Sequence, residues 1–253
     1  MICKVCGGSA NFYDRAVVLA TYETVYYRCT ECGFISSDFV YPLNEAYSSA
    51  IANSDIGLIQ RNIAFSNYVS AIIKMCFPKA ESFLDYGGGY GMFVRMMRDK
   101  GFPFEWYDKY CENLFAKGHE KKFRHYDVLT AFELLEHLPN PLGEVSEILS
   151  IADNAIFSTE LIPKDNPKIN EWWYFAPETG QHIAFYTEKA MEEIARKNNK
   201  IYFRIGGLHL FTNQSIAQWK LKMSSLHRLV NCCIRRNSLI SADYAAITGK
   251  SIN

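Results

Sequence analysis

The sequence has no apolar run of 18 residues, so no transmembrane helix and no membrane insertion are expected. It has no surplus of charge: Lys+Arg and Asp+Glu are 27 each. A neutral balance does not exclude nucleic acid, but it lends no support to a broad phosphate-binding surface. The N-terminus lacks a signal-peptide apolar region, and a cytoplasmic protein is expected. No internal repeat or low-complexity tract is present. What the chain has in quantity is core-forming material, with 49% hydrophobic and 15% aromatic residues. Its 253 residues allow one large domain, or one domain and a small module.

The cysteines are few but patterned. Cys3-x-x-Cys6 and Cys29-x-x-Cys32 form two knuckles separated by residues 7–28. Each second cysteine is followed by glycine, which suits a tight turn aiming backbone N–H groups at sulfur. Between the knuckles, 16–19 and 24–28 read as a hairpin. Four thiolates at this spacing match a structural, tetrahedral Zn²⁺ site of zinc-ribbon type, with Cys3, Cys6, Cys29 and Cys32 as ligands. Two disulfides are the competing reading, and a chain without an export signal argues against them. Such a site has no open position, so its role is structural. A module of residues 1–40 has too little core to fold alone, and metal binding supplies the missing free energy. Cys76, Cys111, Cys232 and Cys233 show no ligand spacing.

Residues 82–91, Ser-Phe-Leu-Asp-Tyr-Gly-Gly-Gly-Tyr-Gly, organise the rest of the chain. An apolar strand-like run ends on Asp85, glycines follow at 87, 88, 89 and 91, and 92–98 reads as a helix. Strand, glycine turn and helix make the first half of a βαβ nucleotide-binding unit. The glycines let the backbone turn sharply and approach a ligand. The helix start offers free N–H groups and partial positive charge. A second strand, 102–108, ends on Asp108. An acidic residue roughly 20 positions past such a turn is where a ribose diol is held. A plain turn carboxylate is the other reading of Asp108.

Asp85 and the glycines give the pattern D-x-G-x-G-x-G, whose last glycine comes one residue earlier than in the dinucleotide fingerprint. This resembles motif I of the class I S-adenosylmethionine-dependent methyltransferases. Asp127-Val128-Leu129 with Glu133-Leu134-Leu135-Glu136-His137-Leu138-Pro139-Asn140-Pro141 resembles the signature after the fourth strand of many such enzymes. The resemblance implies an α/β fold: a Rossmann-like, seven-stranded, mostly parallel sheet flanked by helices, with S-adenosylmethionine as cofactor. It implies that Asp85, Gly87, Gly89 and Gly91 wrap the methionine part of the cofactor. Phe132 and Glu133 then lie beside the cofactor at a strand edge, and His137 near the methyl donor. A structural histidine is an equal reading of His137. The amphipathic helix of 57–77, stopped by Pro78, would cover the cofactor, with Arg61 meeting its carboxylate. A solvated arginine is the plainer reading there. A further helix is expected over 43–52.

Between 109 and 126 the fold requires a helix (111–117) and a third strand near 122–126. No side chain there stands out as an adenine ligand. Residues 142–152 read as a helix and 154–160 as a strand. The long stretch 161–186 suggests a lid or substrate wall. Its Trp172, Trp173, Tyr174 and Phe175 suit stacking on the apolar face of a sugar, or else covering a sheet edge. Together with Gly180-Gln181-His182-Ile183 it resembles methyltransferases encoded among saccharide-biosynthesis enzymes, and in that resemblance His182 faces the acceptor. Strands at 201–205 and 208–212 close the sheet. Residues 213–253 read as helical to about 236, with Arg228, Arg235 and Arg236 forming a solvated basic face.

The division expected is thus a zinc module (1–40), a helical connector (41–78), a methyltransferase core (79–212) and a helical extension (213–253). A zinc module before such a core also resembles sugar C-methyltransferases of deoxysugar pathways, whose further C-terminal domain has no counterpart in the 40 or so residues here. Methyl transfer to a hydroxyl needs a base of near-neutral pKa, for which histidine is suited. His182 is the expected base and His137 the second candidate. The core holds no carboxylate cluster with Mg²⁺ spacing, so metal-independent chemistry is expected. The expected partner is a small-molecule acceptor, a saccharide or nucleotide-activated sugar. An RNA methyltransferase and a non-catalytic zinc-ribbon interaction protein are the alternatives. The neutral charge argues against the first, and the intact Asp85, glycines and Asp108 against the second.

Overall fold

The computed structural model describes residues 1–38 and 56–250, so the helix expected over 43–52 lies outside the described residues. Near the N-terminus, β1 (Ala10–Val18) and β2 (Tyr22–Cys29) form an antiparallel hairpin with a register shift between Phe12 and Asp14. The short strand β3 (Ile35–Ser37) pairs with β2. Helix α1 (Leu58–Cys76) follows, ending at Phe77 just before Pro78. Proline disfavours helical backbone in the residue before it, which accounts for the stop. The glycine-turn region then gives β4 (Phe83–Tyr86), α2 (Met92–Asp99) and β5 (Phe104–Tyr107). Strand β6 (Tyr126–Phe132), helix α3 (Pro141–Ser150) and β7 (Ala152–Ser158) come next. The two-residue β8 (Ala184–Phe185), helix α4 (Glu188–Lys197), and the hairpin of β9 (Ile201–Ile205) and β10 (Leu208–Thr212) complete the sheets.

Two sheets result. One is antiparallel in the order β1-β2-β3-β8, and the other has six strands in the order β5-β4-β6-β7-β10-β9. Strand β4 is parallel to both neighbours, while β9 and β10 are antiparallel. The result is the α/β fold expected, a mixed and mostly parallel sheet with an antiparallel N-terminal module. Among the described residues six strands stand where seven were expected. The place of the third strand is taken by a single parallel bridge, Trp106 to Glu120.

The helix expected at 111–117 is also absent, and bends occupy the segment. Asn113 explains this. Its Nδ2 donates to the Ala116 carbonyl and to Glu120, and its Oδ1 accepts from the Ala116 amide. A side chain that satisfies nearby backbone in this way competes with helical pairing.

The contacts group into two compact units. One contains the cysteine module with Phe132–Ser150 and Phe157–Asn213. Its apolar centre is Val18, Tyr26 and Ile35 packed with Tyr174, Phe175, Ile183 and Phe185. Three of the four aromatics offered above as a sugar platform are therefore committed to packing. Tyr174 and Phe175 are buried, and Trp172 packs edge-on against Phe175. Only Trp173 is open, at 75% exposure. Helix α4 opens on Thr187, whose hydroxyl accepts from the Ala190 amide and donates to the Cys32 carbonyl.

The second unit holds α1, the β4–α2–β5 segment, most of β6, and the three C-terminal helices α5 (Gln218–Ser225), α6 (His227–Cys233) and α7 (Ile240–Thr248). Helix α1 buries Val69, Ile72, Ile73 and Cys76, and packs against α2, α5 and α6. The helical extension therefore runs past 236. Its basic residues are not all solvated: Arg236 lies 4.6 Å from the Phe102 ring and donates to the Gly101 carbonyl. From α7, Asp243 is buried and receives Arg98 and Arg95, with His119 Nε2 3.5 Å away.

Candidate active site

The glycine turn is built by the C-terminal ends of β4 and β5, the side of an open α/β sheet where ligands bind. The amides of Gly87 and Gly88 both donate to the Tyr107 carbonyl, at 2.8 and 3.1 Å. The Gly89 amide donates to Asp108 Oδ2 at 2.9 Å, and Trp106 Nε1 donates to the Gly89 carbonyl at 2.8 Å. The other oxygen of Asp108 accepts from the amides of Tyr110 and Cys111. Gly91 opens α2 with φ of +85°, and a Cβ there would lie 2.8 Å from Asn113 Oδ1. Gly88, to which the sequence reading gave no role of its own, is as tightly enclosed as Gly91. A Cβ would sit 2.8 Å from Asp85 Oδ2 and 2.9 Å from Trp106 Cδ1. The three consecutive glycines were the available signal.

Asp85 is buried at the end of β4, and its Oδ1 accepts from the Thr130 hydroxyl at 2.7 Å. Burial raises its carboxyl to about 7; the Thr130 bond opposes the rise and the charge of Asp108 adds to it. Arg61 is half-buried on the first turn of α1, its amide bonded to the Gly57 carbonyl.

Beyond β6 the chain enters a strained turn. Phe132 ends the strand half-buried, and Glu133 has φ of +48°. A left-handed glutamate is uncommon, and such strain concentrates at functional sites. Ser158, at the end of β7, holds the turn. Its Oγ accepts from the Glu133 amide at 3.0 Å and donates to Glu133 Oε1 at 2.6 Å.

The turn leads into one 3-10 turn, Leu135–His137. His137 Nδ1 lies 2.8 Å from the Gln181 carbonyl, and His182 Nδ1 lies 2.6 Å from the Tyr174 carbonyl. A carbonyl can only accept, so both Nδ1 atoms carry the proton in these bonds. The rings meet edge to face with centroids 5.0 Å apart. Burial lowers the pKa of both; the carbonyl bonds oppose this at His137, and the charge of Glu136 opposes it at His182. Glu136 itself is fully buried, and neither of its oxygens has a hydrogen-bond partner among the described residues. One ligand atom each from Glu136, His137 and His182 can be chosen such that all lie within 4.8 Å of one another. Glu136 had no role in the sequence reading. A carboxylate set between Leu135 and Leu138 was the sign of its burial.

The four knuckle cysteines converge. Their sulfurs lie within 4.8 Å of one another, with Cys3–Cys32 at 3.6 Å and Cys6–Cys29 at 3.3 Å. Tetrahedral Zn²⁺ with Zn–S of about 2.3 Å sets sulfurs about 3.8 Å apart, so the cluster is consistent with a zinc site. Backbone amides of Val5, Gly8, Glu31 and Cys32 point at the sulfurs, as for thiolate ligands. The hydrogen bond between Cys3 and Cys32 draws the Cys3 thiol down and, with burial, drives Cys32 up; a bound cation requires all of its thiol ligands deprotonated.

Residues 59–199 match the family described as "Methyltransferase domain". The chain belongs to this family and is an S-adenosylmethionine-dependent methyltransferase. Among solved structures it is similar to magnesium protoporphyrin IX methyltransferase from Synechocystis with bound S-adenosylmethionine, at 14% identity over 67% of this chain and 89% of that one, TM-score 0.40. An O-methyltransferase family protein from Burkholderia thailandensis gives 13% identity, 67% and 65% coverage, and TM-score 0.44. An O-methyltransferase family 2 protein from Planctomyces limnophilus, in complex with apigenin, gives 14%, 69%, 62% and 0.47. At these scores the likenesses carry no argument about mechanism. A search of curated proteins finds no match. No helix among the described residues is long and apolar enough to cross a membrane.

Proposed function

We propose that this enzyme is cytoplasmic and transfers the methyl group to a hydroxyl of a small molecule, a saccharide or nucleotide-activated sugar. The observation that carries the reading is the state of His182. Its Nδ1 proton is committed to the Tyr174 carbonyl, which leaves the lone pair on Nε2. Burial keeps the ring neutral near pH 7. A neutral imidazole with a fixed tautomer suits an acceptor hydroxyl that must lose its proton as the methyl arrives. In the simplest form of the reaction His182 takes that proton itself, with His137 second. The exposed Trp173 offers an apolar face of the kind sugars stack on.

S-adenosylmethionine supplies an activated methyl on sulfur. Asp108 would hold its ribose diol, and Asp85, Gly87, Gly89 and Gly91 its methionine part, with Phe132, Glu133 and Arg61 as further contacts. The remaining task of the protein is alignment and exclusion of water. In the cysteine cluster, Cys3, Cys6, Cys29 and Cys32 would hold Zn²⁺ in a structural role, since four thiolates leave no open position.

The test is methyl transfer from labelled donor to a panel of nucleotide-activated sugars, with RNA and phenols as controls. A methylated sugar, lost by about 100-fold or more in His182→Ala, is expected. Transfer to RNA alone, or undiminished turnover in His182→Ala, would overturn the reading.

A further inference from the structure

We propose that Glu136, His137 and His182 form a binding site for one divalent first-row cation, separate from the four cysteines. Three observations converge. First, Glu136 is a fully buried carboxylate whose two oxygens find no donor among the described residues. A buried carboxylate left without a partner costs several kcal/mol, so something of positive character belongs beside it. Burial and the charge of Glu136 raise the Tyr174 and Tyr186 hydroxyls, but the Tyr174 hydroxyl is paired with Thr159 at 3.1 Å. The Tyr186 hydroxyl donates instead to the Leu135 carbonyl.

Second, two imidazoles share this cluster, and each gives its Nδ1 proton to a main-chain carbonyl, Gln181 for His137 and Tyr174 for His182. Metal-bound histidines characteristically donate their other ring N–H to a carbonyl or carboxylate, which fixes the tautomer and aims the lone pair. Third, one ligand atom from each of the three residues can be chosen such that all lie within 4.8 Å of one another. That is a small contraction away from sharing one ion. Two imidazoles and one carboxylate suit Mn, Fe, Co or Zn rather than Mg, and three protein ligands leave positions open for an acceptor oxygen.

For its chemistry the inference rests on the hydroxyl-acceptor reading above. A bound cation lowers the pKa of a coordinated hydroxyl. The proton then leaves to solvent. The alkoxide oxygen forms a bond to the donor methyl carbon, and the carbon–sulfur electron pair returns to sulfur. In this form His182 acts as a ligand and not as the base. This differs from the metal-independent chemistry expected from the sequence, where only carboxylate clusters were considered.

The test uses the full-length chain with its cysteine site loaded with zinc. Mn²⁺, which has little affinity for thiolates beside zinc, is titrated and its binding followed by loss of the free Mn²⁺ paramagnetic resonance signal. One equivalent per chain is expected, weakened at least about tenfold in Glu136→Gln and in His182→Gln, with zinc content unchanged. Two variants guard against one failing to fold, and S-adenosylmethionine binding checks each. Absence of Mn²⁺ binding to the parent chain, or binding indifferent to both substitutions, would overturn the site. The two proposals fail separately: cation binding without transfer to any sugar sinks the sugar reading alone, and transfer by a chain that binds no Mn²⁺ sinks this one.

Discussion

Asp108 Oδ2 accepts the Gly89 amide at 2.9 Å, so the carboxylate proposed to grip the cofactor also shapes the loop that cradles it. With the amides of Tyr110 and Cys111 on its other oxygen, three of its roughly four lone-pair sites are used by backbone. A diol must share or displace the Gly89 bond. Asp108→Asn replaces one acceptor by a donor facing a donor. Calorimetry should show S-adenosylmethionine affinity falling about 10- to 100-fold, with the fold retained. Unchanged affinity would remove Asp108 from the site.

Asp85 gives the protein a pH signature. Its folded carboxyl, raised by burial to about 7, stays protonated where an unfolded aspartate, at about 3.9, has ionised. Its contribution to stability is full below about pH 4 and is lost as pH rises through about 7. Asp85→Asn cannot ionise, and its Oδ1 can still accept from Thr130. Melting curves from pH 5 to 8 should show the variant gaining on the parent, by on the order of 2 kcal/mol across the range. Parallel curves would mean that Asp85 is ionised throughout.

Asp243 should matter for stability far more than a residue near the end of the chain usually does. It is buried and takes a two-pronged bond from Arg98, with Arg95 at 2.9 Å. Burial alone would raise its carboxyl, but the bonds from Arg98 and Arg95 hold it below the ordinary range. Asp243→Ala strands Arg98 without a counter-charge and should cost about 3–5 kcal/mol in denaturant unfolding. A loss below about 1 kcal/mol would mean that α7 is not anchored there.

The local order of the core was largely legible because its signals are short-range. The glycine run fixed a turn between β4 and α2, and the bounds 201–205 and 208–212 coincide with β9 and β10. What escaped was set by side-chain bonds to the backbone and by contacts distant in sequence. Asn113 unmakes a helix through bonds that no periodicity records. Strand β8 is two residues long and exists because Ile35 and Ser36 pair with it. Tyr174 and Phe175 read equally as a sugar platform or as cover for a sheet edge, and their packing with Val18, Tyr26 and Ile35 decides for cover. Glu136 was visible in the motif, but its lack of a partner is a property of three dimensions only.

The cysteine cluster gives a direct test of its proposed ion. Elemental analysis of the purified chain should find about one zinc per polypeptide, and Cys29→Ser should reduce it substantially. Near-ultraviolet dichroism should change with it, because Tyr26, Phe175 and Phe185 pack together beside the strands that the knuckles tie. A zinc-free chain with an unaltered aromatic spectrum would show that the cluster needs no metal.

Strand β8 begins two residues after His182 and is held by β3, which follows the second knuckle. The Thr187 hydroxyl, just beyond, fastens to the Cys32 carbonyl. The knuckles thus serve as an anchor plate for the histidine loop. A shortened enzyme starting after residue 40 would bare Phe175, Ile183 and Phe185 to water and leave β8 without the strand it pairs with. Residues 59–199, which match the family, share an apolar core with Val18, Tyr26 and Ile35, so a cut to the matched segment removes part of its own packing.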